Sequence, residues 1–354
     1  MKAVIGQSRL TEAQAKESLL ECLRAIPFAQ VEPAEGALSG DAEPDGVFRI
    51  SLPGREIILV LEVKTNSQPR YARAAANQLF RYLGGREDAY GVFAAPYISE
   101  RSTAILRAEG LGYIDLAGNC RLVLPGVYIE RSGRPNSYSE KRELRSLYSP
   151  KAERVLRVLL ADPHKRWKLQ TLAAEARVSL GQAYNVKELL ANQEWIRQSK
   201  DGLTLSEPEQ LLLEWARSYD FRRNRVKEFY SLRSLSEAEA AIADLCNSRG
   251  IRYALAGFSA AVRLAPFVRY QKASAYVWGD IQKLAAELEL REVGSGANLS
   301  LIEPYDEGVL YGLREVDGQC IVASVQAYLD LKGRGGRGEE AADFILAQVL
   351  RPSW

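Results

Sequence analysis

The chain is expected to fold as a multidomain α/β (α+β) protein, and three observations predict it. Runs rich in Val, Ile and aromatic residues alternate with helix-period segments up to about residue 135 and again after residue 236. Between these regions, residues 151–206 carry three short apolar-periodic helices followed by two brief strand patterns about a Gly turn. A length of 354 residues exceeds what one hydrophobic core usually organises. The expected layout is an α/β domain over 1–135, a linker over 136–150, a small helical domain over 151–206, a connecting helix over 207–235 and a second α/β domain over 236–354.

Composition narrows the function classes. Hydrophobic residues make up 47% and charged residues 26%, as in ordinary water-soluble proteins. Forty-seven basic and 45 acidic residues leave a net charge of +2, so any nucleic-acid contact must rest on local patches. Cys22, Cys120, Cys246 and Cys320 are scattered, and His164 is the single histidine. That pattern argues against a zinc site or a disulfide framework and for buried thiols in a reducing cytoplasm. No apolar run approaches a membrane span and the N-terminus has no secretory core, so a cytoplasmic protein without a membrane partner is expected.

In the first domain, Leu10–Leu23 reads as an amphipathic helix with Thr11 as its cap; Glu17 and Glu21 share a face that can point at a site. A Gly/Pro-rich loop over Glu32–Gly46 delivers Asp45. The runs FRISL and Ile57–Val63 flank the turn Pro53-Gly54 and form a hairpin. It brings Asp45 beside Glu62 and puts Glu62 and Lys64 on one face, because strand side chains repeat every two residues. Two carboxylates offer hard oxygen ligands for Mg²⁺, and an ammonium can stabilise charge on a nucleophile or a pentavalent phosphate. A helix over about 72–83 follows, with Gln78 and Tyr82 one turn apart and Arg73 and Arg81 along it. Further on come a strand from Tyr90, a helix with Arg101 and Arg107, and the polar pair Asp115 and Asn119, which either orients a site or forms an Asx turn.

Pro44-Asp45, Glu62-Val63-Lys64 and the Gln78/Tyr82 pair in NQLFRYL together resemble the PD-(D/E)xK nuclease superfamily, whose domain is restriction-endonuclease-like. The resemblance implies Asp45, Glu62 and Lys64 as catalytic residues supported by Gln78 and Tyr82. It also implies Mg²⁺ on Asp45 and Glu62 if the site is active.

The segment Arg131–Ser149 is polar, basic and rich in Ser, Pro and Gly, and is the expected linker. Lys151–Leu160, Leu169–Ala176 and Leu180–Asn192 read as three helices, and strands follow on either side of Ser199–Gly202. LQTLAAEARVSLGQAYNVKELLANQEWI resembles the core of winged-helix transcription regulators, with Ser179 capping the recognition helix. That reading makes Ser179, Gln182, Tyr184, Asn185 and Lys187 available to the major groove of double-stranded DNA. Lys165, Arg166, Lys168 and Arg177 are then available to phosphates, and Lys200 lies in the wing. Between Lys141 and Lys227 there are 18 basic and 11 acidic residues, the most basic part of the chain. Such regulators often pair on palindromes, which leaves a homodimer open.

Pro208–Ser231, with FRRNRVKEFYS, reads as a basic connecting helix. In the last domain the Ala-Gly-Phe-Ser-Ala-Ala turn is similar to the Gly-Ser signature of nucleotidyltransferase folds. The next strand, Ala273–Trp278, lacks the paired acids such enzymes use, and Asp280 stands alone, so transferase chemistry is not expected. AGFSAAVRLAPFVRY, NLSLIEPYDEGVLYG and SVQAYLDLKGRGGRGEEAADFI resemble the AbiEi-type antitoxin and transcriptional-regulator family of type IV toxin–antitoxin systems. That resemblance implies operator binding and a cognate nucleotidyltransferase-type toxin. The run Lys332–Arg337 can either grip phosphate or turn the chain into a helix.

Overall fold

A run that is apolar at every position, such as Ile57 to Leu61, becomes a strand only where both of its faces find an apolar partner. The computed structural model, which describes residues 2–34, 36–38, 43–136, 147–265 and 270–354 (residues 2–11 by backbone alone), supplies both partners. The chain divides into two units, Met1–Arg142 with Ala191–Glu194, and Glu143–Leu190 with Trp195–Trp354. The expected linker falls largely on residues 137–146, outside the described residues.

The first unit runs α1 (Lys2–Arg24), β1 (Gln30–Pro33), β2 (Gly46–Leu52), β3 (Arg55–Val63), α2 (Pro69–Leu83), β4 (Ala89–Ala95), α3 (Glu100–Ala108), β5 (Gly112–Asp115), β6 (Cys120–Leu124) and β7 (Val127–Arg131). The strands lie side by side in chain order. β3, β4 and β5 are parallel, joined by the helices that such crossovers require, and the outer pairs are antiparallel. Leu59 and Leu61 of β3 pack on Leu19 and Leu23 of α1, while Ile58 and Val60 pack on Ala72, Ala76 and Leu79 of α2. Two expectations are corrected. Thr11 lies inside α1 and does not start it. The loop expected from Glu32 begins instead as β1, whose Val31 and Glu32 pair with Ile50 and Arg49.

All four cysteines are free. The buried Cys22 and Cys120 bring their sulfurs to 3.3 Å.

The second unit opens with α4 (Pro150–Ala161), α5 (Leu169–Glu175), α6 (Leu180–Asn192) and the hairpin β8 (Ile196–Ser199) and β9 (Gly202–Leu205). Ser179 Oγ accepts from the Gln182 backbone N–H at 3.2 Å and so caps α6. Trp167 bridges to Leu203 beside the hairpin. A Cβ at Gly202 would sit 2.6 Å from the Trp167 carbonyl oxygen, which is why the turn needs glycine there.

α7 (Pro208–Ser218) then ends early. The segment expected to continue as a basic helix is instead a 3₁₀ turn, Phe221–Arg223, and β10 (Arg225–Tyr230). Tyr219 is extended and the Asp220 side chain caps the turn, so the helix cannot run on, and β10 takes a place in a second sheet. The remainder comprises α8 (Leu235–Arg249), β11 (Arg252–Leu255), α9 (Gly257–Leu264), β12 (Ala273–Trp278), α10 (Ile281–Glu287), β13 (Arg291–Glu292), β14 (Leu299–Glu303), β15 (Arg314–Val316), β16 (Gln319–Ile321), α11 (Ser324–Lys332) and α12 (Arg337–Ile345). The strand order is β13-β10-β14-β12-β11-β16-β15, a mixed sheet. The stretch Pro266–Arg269 of the AbiEi-like phrase lies outside the described residues. No helix among the described residues is long and apolar enough to cross a membrane.

Candidate functional site

Antiparallel pairing of β2 with β3 places Gly46 opposite Leu61, so Asp45, just before β2, arrives beside Glu62 and Val63. Asp45 Oδ2 accepts from the Val63 backbone N–H at 2.6 Å. Lys64 Nζ donates to Glu62 Oε1 and, at 3.3 Å, to Gln78 Oε1 from α2. Gln78 Nε2 donates in turn to the Tyr82 hydroxyl. Four of the five residues expected from sequence therefore meet in one cleft of about 310 Å³, lined by Asp45, Glu62, Val63, Lys64, Thr65 and Gln78 together with Glu12, and the fifth, Tyr82, is bonded to Gln78. Burial lifts the Glu62 carboxyl above the usual carboxylate range. The Lys64 hydrogen bond pulls it back, and the charge of Asp45 adds to the rise.

Glu12 is the residue that sequence reasoning missed. Glu17 is exposed and paired with Arg24, and Glu21 is exposed. Glu12 lies in line with Ala15, Leu19 and Leu23, the stripe of α1 that faces the sheet, and that spacing was the available signal. Among the described residues no group of three or more His, Cys, Asp or Glu side chains is placed to hold a metal. Two hard carboxylates still fit Mg²⁺, which commonly takes one or two protein carboxylates and completes its shell with water and phosphate. Asp115 and Asn119 form a buried turn: Asp115 accepts from the Asn119 backbone N–H and from its Nδ2, each at 2.8 Å.

In the second unit Lys165, Arg166, Lys168, Arg177, Ser179, Tyr184, Asn185 and Lys200 are exposed, and Gln182 is half-buried. Several of the cations are already engaged. Lys165 lies 3.9 Å from the centre of the Trp167 ring, Arg166 is 3.5 Å from Asp201, and Arg177 is 3.2 Å from Glu307. Lys187 is half-buried, pairs with Glu188 at 2.9 Å and lies 4.4 Å from the Tyr184 ring centre, so its charge is largely spent inside the fold. Arg197, exposed on β8, adds a cation not singled out from the sequence.

The phrase EPYDEGVLYG has a clear structural task. Tyr305 donates its hydroxyl to Glu153 Oε2 of α4. Asp306 takes a two-pronged contact from Arg154, at 2.7 and 2.8 Å, and Glu307 accepts from the same guanidinium at 2.6 Å. Tyr311 donates to Glu175 of α5 at 2.9 Å. Four residues of one short stretch thus hold the first two helices of the 150–205 segment. A family model described as "Transcriptional regulator, AbiEi antitoxin, Type IV TA system" (AbiEi_2) matches residues 204–351. The C-terminal part of the chain is similar to the AbiEi antitoxins. This supports an antitoxin and regulator role and suggests a toxin and DNA as partners. No curated protein matches the chain.

Within the AbiEi-like region, β12 carries Ser274 and Tyr276 at alternate positions, and Tyr276 donates to Asp330 at 2.9 Å. Asp280 caps α10 by accepting from the Gln282 and Lys283 backbone N–H groups. Two cations of the Lys332–Arg337 run are engaged within the fold. Arg334 Nε donates to the Asp330 carbonyl oxygen at 3.1 Å, and Lys332 pairs with Asp343 and Glu339.

Proposed function

We propose that the chain is a DNA-binding transcriptional regulator, the antitoxin of a type IV system whose toxin is of the nucleotidyltransferase kind. In this reading residues 151–206 are a winged helix and the AbiEi-like region carries the toxin-opposing surface. The observation that supports it is that the family match and most of the 150–205 segment share one unit, clamped together by the residues of EPYDEGVLYG. α6 would enter the major groove with Tyr184 and Asn185 outward, while Lys168, Arg197 and Lys200 meet phosphates. The test is fluorescence anisotropy with the DNA upstream of its own reading frame, over a range of salt. Lys168→Ala and Lys200→Ala should each weaken binding on all sequences and lower the salt slope by about one. Asn185→Ala should instead cost roughly 1–3 kcal/mol on the preferred sequence only. Lys187→Ala should change affinity least. Unchanged binding in both Lys168→Ala and Lys200→Ala would remove the docking model.

A second reading, a Mg²⁺-dependent DNA nuclease in the first unit, is favoured by the convergence of Asp45, Glu62, Lys64 and Gln78 in one cleft. The family match lies outside that unit and lends it nothing. Asp45 and Glu62 would hold the ion, which when bound would supply an activated water and screen phosphate charge. Lys64, fixed between Glu62 and Gln78, would stabilise charge at the reacting phosphate, and Tyr82 would hold Gln78 in place. Incubation of supercoiled and linear DNA with Mg²⁺ or Mn²⁺ should show cleavage that disappears in both Asp45→Ala and Lys64→Ala. No cleavage by the wild type would leave this cleft without that chemistry.

A further inference from the structure

Arg177 lies between α5 and α6 with a backbone φ of +51°, in the left-handed region that residues other than glycine seldom adopt. The turn is held from outside, because Arg154 Nη1 donates to the Arg177 carbonyl oxygen at 3.3 Å. The Arg177 guanidinium donates to Glu307 Oε2 at 3.2 Å, and the other oxygen of Glu307 accepts from Arg154 at 2.6 Å. One carboxylate thus serves two arginines, on unequal terms. The Arg154 side chain is 17% exposed and is fixed by Asp306, which also caps the 3₁₀ turn that carries Glu307. A Cβ at Gly308 would come within 2.7 Å of Arg154 Cγ, so that stem lies tight against the turn. The Arg177 side chain is 68% exposed, and its ion pair is of the solvated kind that contributes little. Glu307 therefore stays with Arg154, while the Arg177 guanidinium can leave.

We infer that Arg177 is a phosphate contact held in reserve, and that Glu307 restrains DNA affinity by competing with a backbone phosphate for this guanidinium. The inference rests on the winged-helix reading above, in which Arg177 stands just before Ser179, the cap of the groove-entering helix. A phosphate offers the guanidinium charged oxygens as the carboxylate does. Binding then exchanges a weak carboxylate pair for a phosphate pair and releases a condensed counterion from the DNA. Glu307 belongs to the family-matched region, so that region tunes the DNA affinity of the segment it holds.

Anisotropy titrations of the full chain with the DNA upstream of its reading frame, at several salt concentrations, would compare wild type, Glu307→Gln, Arg177→Ala and the double variant. Glutamine keeps an acceptor for Arg154 and removes the charge that detains Arg177. Alanine meets the same backbone demand at residue 177 as arginine does. Glu307→Gln should bind about threefold more tightly, the order expected for a solvated ion pair. Arg177→Ala should bind about fivefold more weakly and lower the salt slope by about one. In the Arg177→Ala background, Glu307→Gln should change affinity by less than about 1.5-fold, because the competitor has nothing left to withhold. A structural Glu307, or a general repulsion between its charge and DNA, would act equally in both backgrounds, and that result would overturn the inference. So would a wild-type salt slope in Arg177→Ala. Lys168→Ala and Lys200→Ala, measured alongside, separate this failure from that of the docking model. A lowered slope in those two variants, with no coupling between Glu307 and Arg177, removes only the reserve contact. No saturable binding by the wild type removes both.

Discussion

Glu153→Ala should cost about 3–5 kcal/mol of stability, the range expected when one partner of a buried ion pair is removed. Glu153 is fully buried on α4 and answers four groups at once. Arg223 donates to it at 2.7 and 3.3 Å, the Trp215 indole N–H donates at 3.3 Å, Tyr305 donates its hydroxyl, and Arg157 stands 3.6 Å away. Removing the carboxylate leaves Arg157 charged and nearly inaccessible, with Trp215 and Tyr305 losing acceptors. Glu153→Gln keeps the shape and an acceptor but no charge, and should fall between Ala and the wild type. The measurement is the urea midpoint and slope of the full chain, followed by fluorescence of Trp215 and the other tryptophans. A double replacement, Glu153→Met with Arg157→Met, should recover much of the loss, since a hydrophobic pair avoids the desolvation that a lone charge suffers. A loss below 1 kcal/mol in Glu153→Ala would mean that this cluster is solvated in solution and does not hold α4 in place.

The sequence was most legible where chemistry and local geometry coincide. The hairpin ending in Glu62-Val63-Lys64 and the helix with Gln78 and Tyr82 are each set by short-range pattern. Sheet register then brings them together without any long-range guess, since Gly46 pairs with Leu61 through a two-residue turn. Ser179 at the start of α6 was legible for the same reason. Failures came where a residue's partner lies far along the chain. Arg225–Tyr230 reads as basic and helical because its charges dominate, yet its strand neighbour is Leu299–Glu303, more than 70 residues on. In α1 the error was one of face: charged residues were credited by their pairing, while the acid that reaches the cleft, Glu12, is the one in register with the apolar stripe. Tyr305, Asp306 and Glu307 were visible as a family phrase, but their task of holding α4 depends on Glu153 and Arg154, about 150 residues away.

Asp330→Asn should stabilise the protein at pH 8 and remove a pH dependence that the wild type shows between about pH 4 and 6. Asp330 is fully buried on α11, a helix covered on all sides, so the usual inference that a helical acid faces water fails for it. Its Oδ1 accepts from Tyr219 at 3.0 Å, Tyr276 at 2.9 Å and Gln326 at 2.8 Å, whereas Oδ2 has no hydrogen-bond partner. Burial pushes the carboxyl up to about 6, with the Arg334 charge and the three donors pulling the other way. An unfolded aspartate releases its proton near 4, so the folded state binds this proton more tightly. The site's contribution to stability is therefore complete below about pH 4 and is lost as pH rises through 6. At neutral pH the cost of holding the charge is about 3 kcal/mol by the linkage relation. Asparagine keeps an acceptor for the three donors and carries no charge, but it places an amide where Oδ2 now lacks a partner, so the net gain at pH 8 should be roughly 1–2 kcal/mol. Unfolding midpoints of both proteins at pH 4.5, 6 and 8 isolate the term, because every other carboxylate cancels in the difference. A variant less stable than the wild type by the same amount at all three values would show that Asp330 stays charged at no cost. The consequence reaches α4, since Gln326 bonds to Asp330 with its amide and to Arg157 with its carbonyl oxygen. The proton at Asp330 thus sits one side chain away from the ion cluster that fixes the first helix of the 150–205 segment, and the stability of that helix's anchorage should follow the same titration.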